Sequence, residues 1–191
     1  MAASAEMLDG DNLSVERITA LAQGPLTLTL AEESWRRIAA GREIVERALR
    51  SGAPIYGATT GVGSQKDVQV GAAQLSDFSD RMIISEATDF PGELFPQRVV
   101  RAALLVLINN VARGRTGLRP VVAEQLLRLA QSATLPAVRR DSSYGGADLT
   151  PLSQLALALL GSSIGGVGGS MAGSALKLAP KESSCVPPKL F

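Results

Sequence analysis

The chain has no histidine among its 191 residues. That absence removes Ser-His and Cys-His nucleophilic pairs, and every imidazole-ligated metal site, from the chemistry these residues can perform. The single cysteine, Cys185, stands near a proline-rich end. One thiol excludes a disulfide framework and a zinc knuckle, and it reads as unpaired. Aromatic residues make up only 4% of the chain, so the core has to be aliphatic and alanine-rich, which suits packed helices. Charge of one sign is also lacking: the net charge is +1, without the basic footprint of a nucleic-acid binder. No apolar run reaches bilayer-spanning length and the first residues lack a signal-peptide pattern, so a soluble, cytoplasmic protein without a membrane partner is expected. What is present is core material: 46% hydrophobic against 19% charged residues, enough to bury a sizeable interior.

In chain order, the residues read as helices with a few short strands. Leu8–Leu13 reads as an extended piece that ends at Ser14, a helix cap for 15–22, which Gly24-Pro25 closes. Leu26-Thr-Leu-Thr-Leu30 alternates as a strand does. Residues 31–50 form an amphipathic helix with Trp35, Ile38, Ala39, Ile44, Val45 and Leu49 on its buried side and a Glu43–Arg47 pair in solvent. Helices are predicted over 75–87, 97–113 and 121–132. Val99, Val100, Ala103, Leu104, Leu107, Ile108 and Val111 make 97–113 the most apolar of them.

Two stretches carry chemistry. In the first, Ile55-Tyr-Gly-Ala-Thr-Thr-Gly-Val-Gly-Ser64, several glycines surround a tyrosine between helices. It lacks the Lys-Ser/Thr of a phosphate loop and is not a dinucleotide fingerprint. From the residues alone, Tyr56 reads as a tyrosine capping a turn. A phenol is a weak acid, so acting as a base requires burial against positive charge or a strong donor. In the second, Asp141-Ser-Ser-Tyr144-Gly145-Gly146-Ala147-Asp148, a tight glycine turn leads to a helix that Asp148 caps and Pro151 opens. Leu152, Leu155, Ala156, Leu159 and Leu160 follow at helical spacing. Spacing alone is satisfied by a turn feeding a buried helix. Beyond Gly161, residues 162–191 read as a Gly/Ser-rich linker and a loosely held tail, set apart from a 1–161 domain.

Asp148-Leu-Thr-Pro-Leu-Ser-Gln-Leu-Ala-Leu-Ala-Leu-Leu-Gly161 resembles the segment after the Ala-Ser-Gly triad of the aromatic amino acid ammonia-lyases and aminomutases, which include the histidine, phenylalanine and tyrosine ammonia-lyases. Tyr56-Gly57-Ala-Thr-Thr60-Gly61-Val-Gly63 resembles that family's tyrosine loop, and Leu8-Asp-Gly-Asp-Asn-Leu-Ser14 its opening. The resemblance covers roughly Leu8 to Gly161. It implies a mainly α N-terminal domain with a few short strands, a proton-transfer role for Tyr56, and a pocket lined from the loop and from Tyr144 and Asp148. In the family the triad cyclises to methylideneimidazolone (MIO), an electrophilic prosthetic group. Here Gly145, Gly146 and Ala147 hold those positions, and the serine hydroxyl that the cyclisation eliminates is missing. At other positions that face the family pocket, Met82 stands for an asparagine, Ala87 for a histidine and Leu107 for an arginine.

Three readings follow. The first is a repurposed enzyme of small-molecule metabolism, MIO-deficient and without a metal, in which Tyr56 assists proton transfer, elimination or cyclisation. The second is a non-catalytic pseudo-lyase subunit. The third is a genuine ammonia-lyase or aminomutase. Family members continue into a helical bundle and assemble as tetramers, so a homo-oligomer or a second chain completing the bundle is expected, with a small molecule as ligand. Ser143-Tyr144-Gly145 is also the residue pattern that forms the fluorescent-protein imidazolone, a route that needs an enclosed, kinked backbone and an oxidation. With no hydroxyl at Gly146 and a Cβ at Ala147 hindering ring closure, an uncyclised peptide is expected from Ser143 to Asp148. Mass spectrometry of the tryptic peptide beginning at Asp141 should therefore show no loss of water, and a water-sized deficit there would restore the cyclised group.

Overall fold

Leu26, Leu28 and Leu30 are buried while Thr27 and Thr29 face solvent, so the alternation in the sequence does form a strand, β2 (Leu26–Leu30). Its partner lies earlier than the expected 8–13. β1 (Ser4–Leu8) pairs with β2 in parallel, from Ser4 beside Leu26 to Leu8 beside Leu30. The strand stops at Leu8 because the Asp9 carboxylate accepts the backbone N–H groups of Asp11 and Asn12, both at 2.9 Å, and turns the chain. Those bonds hold the Asp9 carboxyl below its ordinary pKa. Parallel strands need a crossover, and α1 (Val15–Leu21) supplies it, capped by the Ser14 hydroxyl on the Arg17 N–H. The computed structural model describes residues 4–87, 92–142 and 149–160. The proposed division at residue 161 falls outside them.

Five more α-helices follow among the described residues: α2 (Glu32–Ser51), α3 (Leu75–Glu86), α4 (Gln97–Ala112), α5 (Pro120–Gln131) and α6 (Leu149–Leu159). α4 is the centre. Val100, Leu104, Leu105, Ile108 and Val111 are buried on it, and α1, α2, α5 and β1 pack around it. α5 carries the core on to α6, and α6 to α3. Among the described residues no helix is long and apolar enough to cross a membrane.

Side-chain carboxamides fasten the non-helical backbone to this frame. Asn109 on α4 accepts the Gly10 N–H at 3.1 Å and donates to the Gly10 carbonyl at 3.0 Å. Gln97 bonds both backbone groups of Leu135, at 2.7 and 3.2 Å. Gln131 accepts the Leu28 N–H at 3.0 Å and so holds β2. Arg101 is equally placed for structure. It is buried on α4 with no carboxylate partner among the described residues and donates to the carbonyls of Ala130 (3.2 Å) and Ser132 (3.0 Å) at the end of α5. Burial pulls its pKa below the ordinary arginine value, but a guanidinium stays charged, and a helix C-terminus is where a cation is favoured.

The face of α2 differs from its sequence reading. Ser34, Ile38 and Arg42 are its buried residues, Trp35 is half-buried, and Ala39 and Ile44 face solvent. The ion pairs differ as well: Glu43 pairs with Arg50, and the buried Arg42 donates to Glu46 at 2.7 Å and to the Gly117 carbonyl at 3.3 Å. The reason is backbone proximity. Gly41 lies directly against Gly114, whose φ of +71° turns the chain between α4 and α5. The helix has to present that glycine inward, and Ile38 and Val45, one turn to either side, turn inward with it while Ile44 does not. On α4, likewise, Val99 and Ala103 are exposed where burial was expected.

A Cβ built at Gly41 overlaps the Gly114 carbonyl oxygen. Alanine is the better helix former by about 1 kcal/mol, but overpacking against fixed backbone costs about 1–3 kcal/mol or more. Gly41→Ala should therefore lower the stability measured by chemical denaturation, and a gain would show that the contact yields.

Candidate active site

The residue that carries the sequence argument, Tyr56, sits in the connection between α2 and α3. The local fold is set by threonine and glycine. The Ile55 N–H donates to the Thr59 hydroxyl at 2.6 Å, and Ala58 and Thr59 donate back to the Ile55 carbonyl, closing a tight turn around Tyr56. Gly57 follows at φ +71°. Thr60 is buried, its hydroxyl on the Gly61 carbonyl, and bridges antiparallel to Gln69, with Gly61 N–H on the Val68 carbonyl at 2.9 Å. A short paired segment in this loop was expected, and it is there. Gly63, at φ +57°, opens a single 3-10 turn, Gly63–Gln65. Its N–H points back to the Tyr56 phenol oxygen at 3.1 Å.

Thus Tyr56, Gly57, Thr60, Gly61 and Gly63 form one hydrogen-bonded unit, with the tyrosine on its outside, 66% exposed. The other expected pocket positions lie elsewhere. Met82 is half-buried on α3, Ala87 is fully buried at the end of α3, and Leu107 packs against the hydrophobic core from α4. Tyr144, Gly145, Gly146, Ala147 and Asp148 lie outside the described residues, as does any short pair expected in the Tyr144 loop.

Both flanks of that stretch are described, and one side chain joins them. Gln154, on α6 and fully buried, accepts the Arg139 N–H at 2.9 Å, and its amide nitrogen lies 3.5 Å from the buried Ser142 hydroxyl. That hydroxyl donates to the Arg139 carbonyl at 3.0 Å. The segment entering the stretch is also pinned to residues 92–95, through Phe95 N–H on the Val138 carbonyl and Arg140 N–H on the Glu93 carbonyl, both 2.9 Å. The sequence reading placed Leu152 on the buried side of this helix. Leu152 is exposed and Gln154 is buried in its stead, because the amide satisfies backbone that no apolar side chain could.

A feature the sequence reading missed is a cleft of about 320 Å³ between the second half of the tyrosine loop and α3. Gly61, Gln65, Gln74, Asp77, Phe78 and Arg81 are among its lining residues, and Tyr56 is not. The only signal was Asp77 and Arg81 one helical turn apart, an ordinary pattern on a wet helix face. Among the described residues no group of acidic or cysteine side chains is placed to hold a metal ion.

Comparison with known proteins agrees with this frame. The family model "aromatic amino acid lyase" matches residues 13–182. A histidine ammonia-lyase from Streptococcus gordonii is 32% identical over 155 residues, which are 81% of this chain and 30% of that protein. One from Geobacillus thermodenitrificans is 36% identical over 156 residues, 81% of this chain and 31% of its own length. Among solved structures, the tyrosine aminomutase of Streptomyces globisporus superimposes with a TM-score of 0.76 at 28% identity, over 90% of this chain and 32% of that one. Ergothionase from Treponema denticola gives 0.77 at 26% identity, over 81% and 31%. The chain thus spans about a third of the length of the proteins it matches.

The two anchoring bonds should differ sharply in stability terms. Tyr56→Phe removes an exposed acceptor and should cost less than about 1 kcal/mol. Gln154→Leu strands a buried N–H and should cost about 1–3 kcal/mol. Urea denaturation of the two variants checks the order, and equal losses would contradict it.

Proposed function

The chain belongs to the aromatic amino acid lyase family, and from that membership we propose that it is the tyrosine-bearing part of a lyase-type enzyme acting on a small molecule without MIO, its pocket closed by a second copy or a second chain. The observation that carries the proposal is the setting of Tyr56, held from one side and open on the other. The Gly63 N–H occupies one lone pair of the phenol oxygen, so the hydroxyl proton is directed elsewhere, and 66% of the residue is accessible. That one bond fixes where the phenol oxygen stands relative to the loop. The loop therefore prepares a proton-transfer group and leaves its reacting face to be walled by other polypeptide.

The residues at the triad positions do not fit MIO. Gly146 has no hydroxyl to eliminate and Gly145 no side chain at all, so no step is routed through that group. What remains is transfer of a proton between Tyr56 and a bound small molecule, in support of an elimination, an isomerisation or a cyclisation. A second reading, a non-catalytic pseudo-lyase subunit, is favoured by the outward apolar side chains Val99, Val106, Leu149 and Leu152, which suit assembly and need no chemistry.

The test offers the purified chain histidine, phenylalanine and tyrosine, the amino acids named by its relatives, in deuterated water. Exchange at carbon that is lost in Tyr56→Phe, with no ammonia released, is the expected result. Ammonia release would instead make this a genuine lyase. Exchange unchanged in Tyr56→Phe would remove the tyrosine from the mechanism, and a folded, assembled protein with no exchange on any of the three would favour the non-catalytic subunit.

A further inference from the structure

The cleft between the tyrosine loop and α3 has no part in the role given to Tyr56, which is not among its lining residues. Its polar side chains come from both walls. Gln65 and Gln69 belong to the loop, and Gln74 stands at the start of α3, where it makes no capping bond. Asp77 and Arg81 follow one turn apart on α3, the spacing at which a carboxylate and a guanidinium ordinarily pair. They form no ion pair with each other. Among the described residues none of these five side chains has a hydrogen-bond or ion-pair partner, and all five are exposed. Phe78, half-buried, and the valines Val68 and Val70 supply apolar wall. The loop can fold this tightly because residue 61 is glycine: a Cβ there would overlap the Gln65 carbonyl oxygen.

We propose that this cleft binds a small, uncharged cyclic amide, a lactam or ureide, that carries an apolar substituent. A carboxamide offers a donor and an acceptor together, and its natural complement is another amide. Three carboxamides line the cleft. The carboxylate of Asp77 only accepts and the guanidinium of Arg81 only donates, so a ligand satisfies both when it presents an N–H and a C=O side by side. An open-chain amide is trans and points the two in opposite directions. A small ring holds its amide cis and brings them to one edge. One carboxylate and one guanidinium leave the lining without net charge, and a ligand of single charge would meet a like charge beside the opposite one. The phenyl ring of Phe78 and the two valines then take the apolar substituent. The volume, about 320 Å³, lies at the lower end of the range for ligand pockets, about 300–1,000 Å³. That is room for a substituted ring. The site is a second one, and nothing in it depends on the chemistry of Tyr56.

Isothermal titration of the full chain with the cyclic dipeptide of glycine and phenylalanine is the test. This probe is neutral, has two cis amide edges and carries one phenyl ring. The wild-type chain should bind it with a Kd below about 1 mM. Gln65→Ala combined with Gln69→Ala should weaken binding about tenfold or more, as the loss of two ordinary hydrogen bonds does. Asp77→Ala combined with Arg81→Ala should do the same. Circular dichroism checks that each variant is folded, and should one pair fail, the other decides. The open-chain N-acetylphenylalanine amide should bind at least about tenfold more weakly than the ring, because its amides are trans. Absence of binding, or binding indifferent to the variants, would overturn the proposal. Equal affinity for the open-chain amide would overturn the cyclic assignment. Tighter binding of phenylalanine, lost in the Asp77 and Arg81 variant, would make the ligand a zwitterion instead. A loss in Tyr56→Phe as large as in these variants would put the probe at the tyrosine and overturn the second site.

Discussion

The structure depends on the two hydrogen bonds by which Asn109 grips Gly10. A carboxamide has the donor and acceptor of a peptide group, so a helix that presents one can take the place of a neighbouring strand. At Gly10 it does so for a turn between β1 and α1 that has no strand beside it. Arg113, one turn further along α4, adds a bond to the same carbonyl at 2.7 Å, and Arg37 from α2 donates to the carbonyl of Asp9. Each bond adds only about 1 kcal/mol net, but the loss of the clamp would leave several backbone groups without partners at once. Gln97, Gln131 and Gln154 repeat the device at Leu135, Leu28 and Arg139. A two-stranded parallel sheet, marginal alone, is stable here because its turn and its second strand are both tied to helices.

Arginine works by a related rule. Arg101 has no carboxylate among the described residues, and carbonyls at the end of α5 serve it. Arg42 has one, Glu46, and a loop carbonyl besides. Arg119, close by, is held below its ordinary pKa first by burial and then by the charge of Arg42. Of these, Arg42 bonds the turn at 113–119, through the Gly117 carbonyl, where α4, α5 and α2 converge around Gly41 and Gly114.

Legibility in the sequence followed the kind of force involved. Helix spans were readable because apolar periodicity and caps are local: Ser14, Gly52 and Pro120 lie at the boundaries they signal. β2 was readable from its alternation. β1 was not, because Ser4–Leu8 has no alternation of its own and is a strand only by virtue of β2. The buried side of α2 was misread because polar Ser34 and Arg42 occupy it, each with a carbonyl partner outside the helix, that of Asp9 and that of Gly117. At the site, the Tyr56 loop was recognisable from its threonines and glycines, each with a conformational or hydrogen-bonding task. The cleft beside it was not, since it arises where the loop meets α3 and no local pattern marks it.

The reach of the Asn109 and Gln131 clamps also sets a schedule. Gly10 and Asn109 are 99 residues apart, Leu28 and Gln131 103. At a synthesis rate of about 5–20 residues per second, the first thirty residues wait roughly 5–20 s after emerging before either partner exists. During that interval β1 and β2 lack α4 and α5, the helices they pack on. Residues 4–30 are therefore made well before the helices that hold them, so the nascent chain passes through a stage in which β1 and β2 are available to chaperones, or to each other on neighbouring ribosomes.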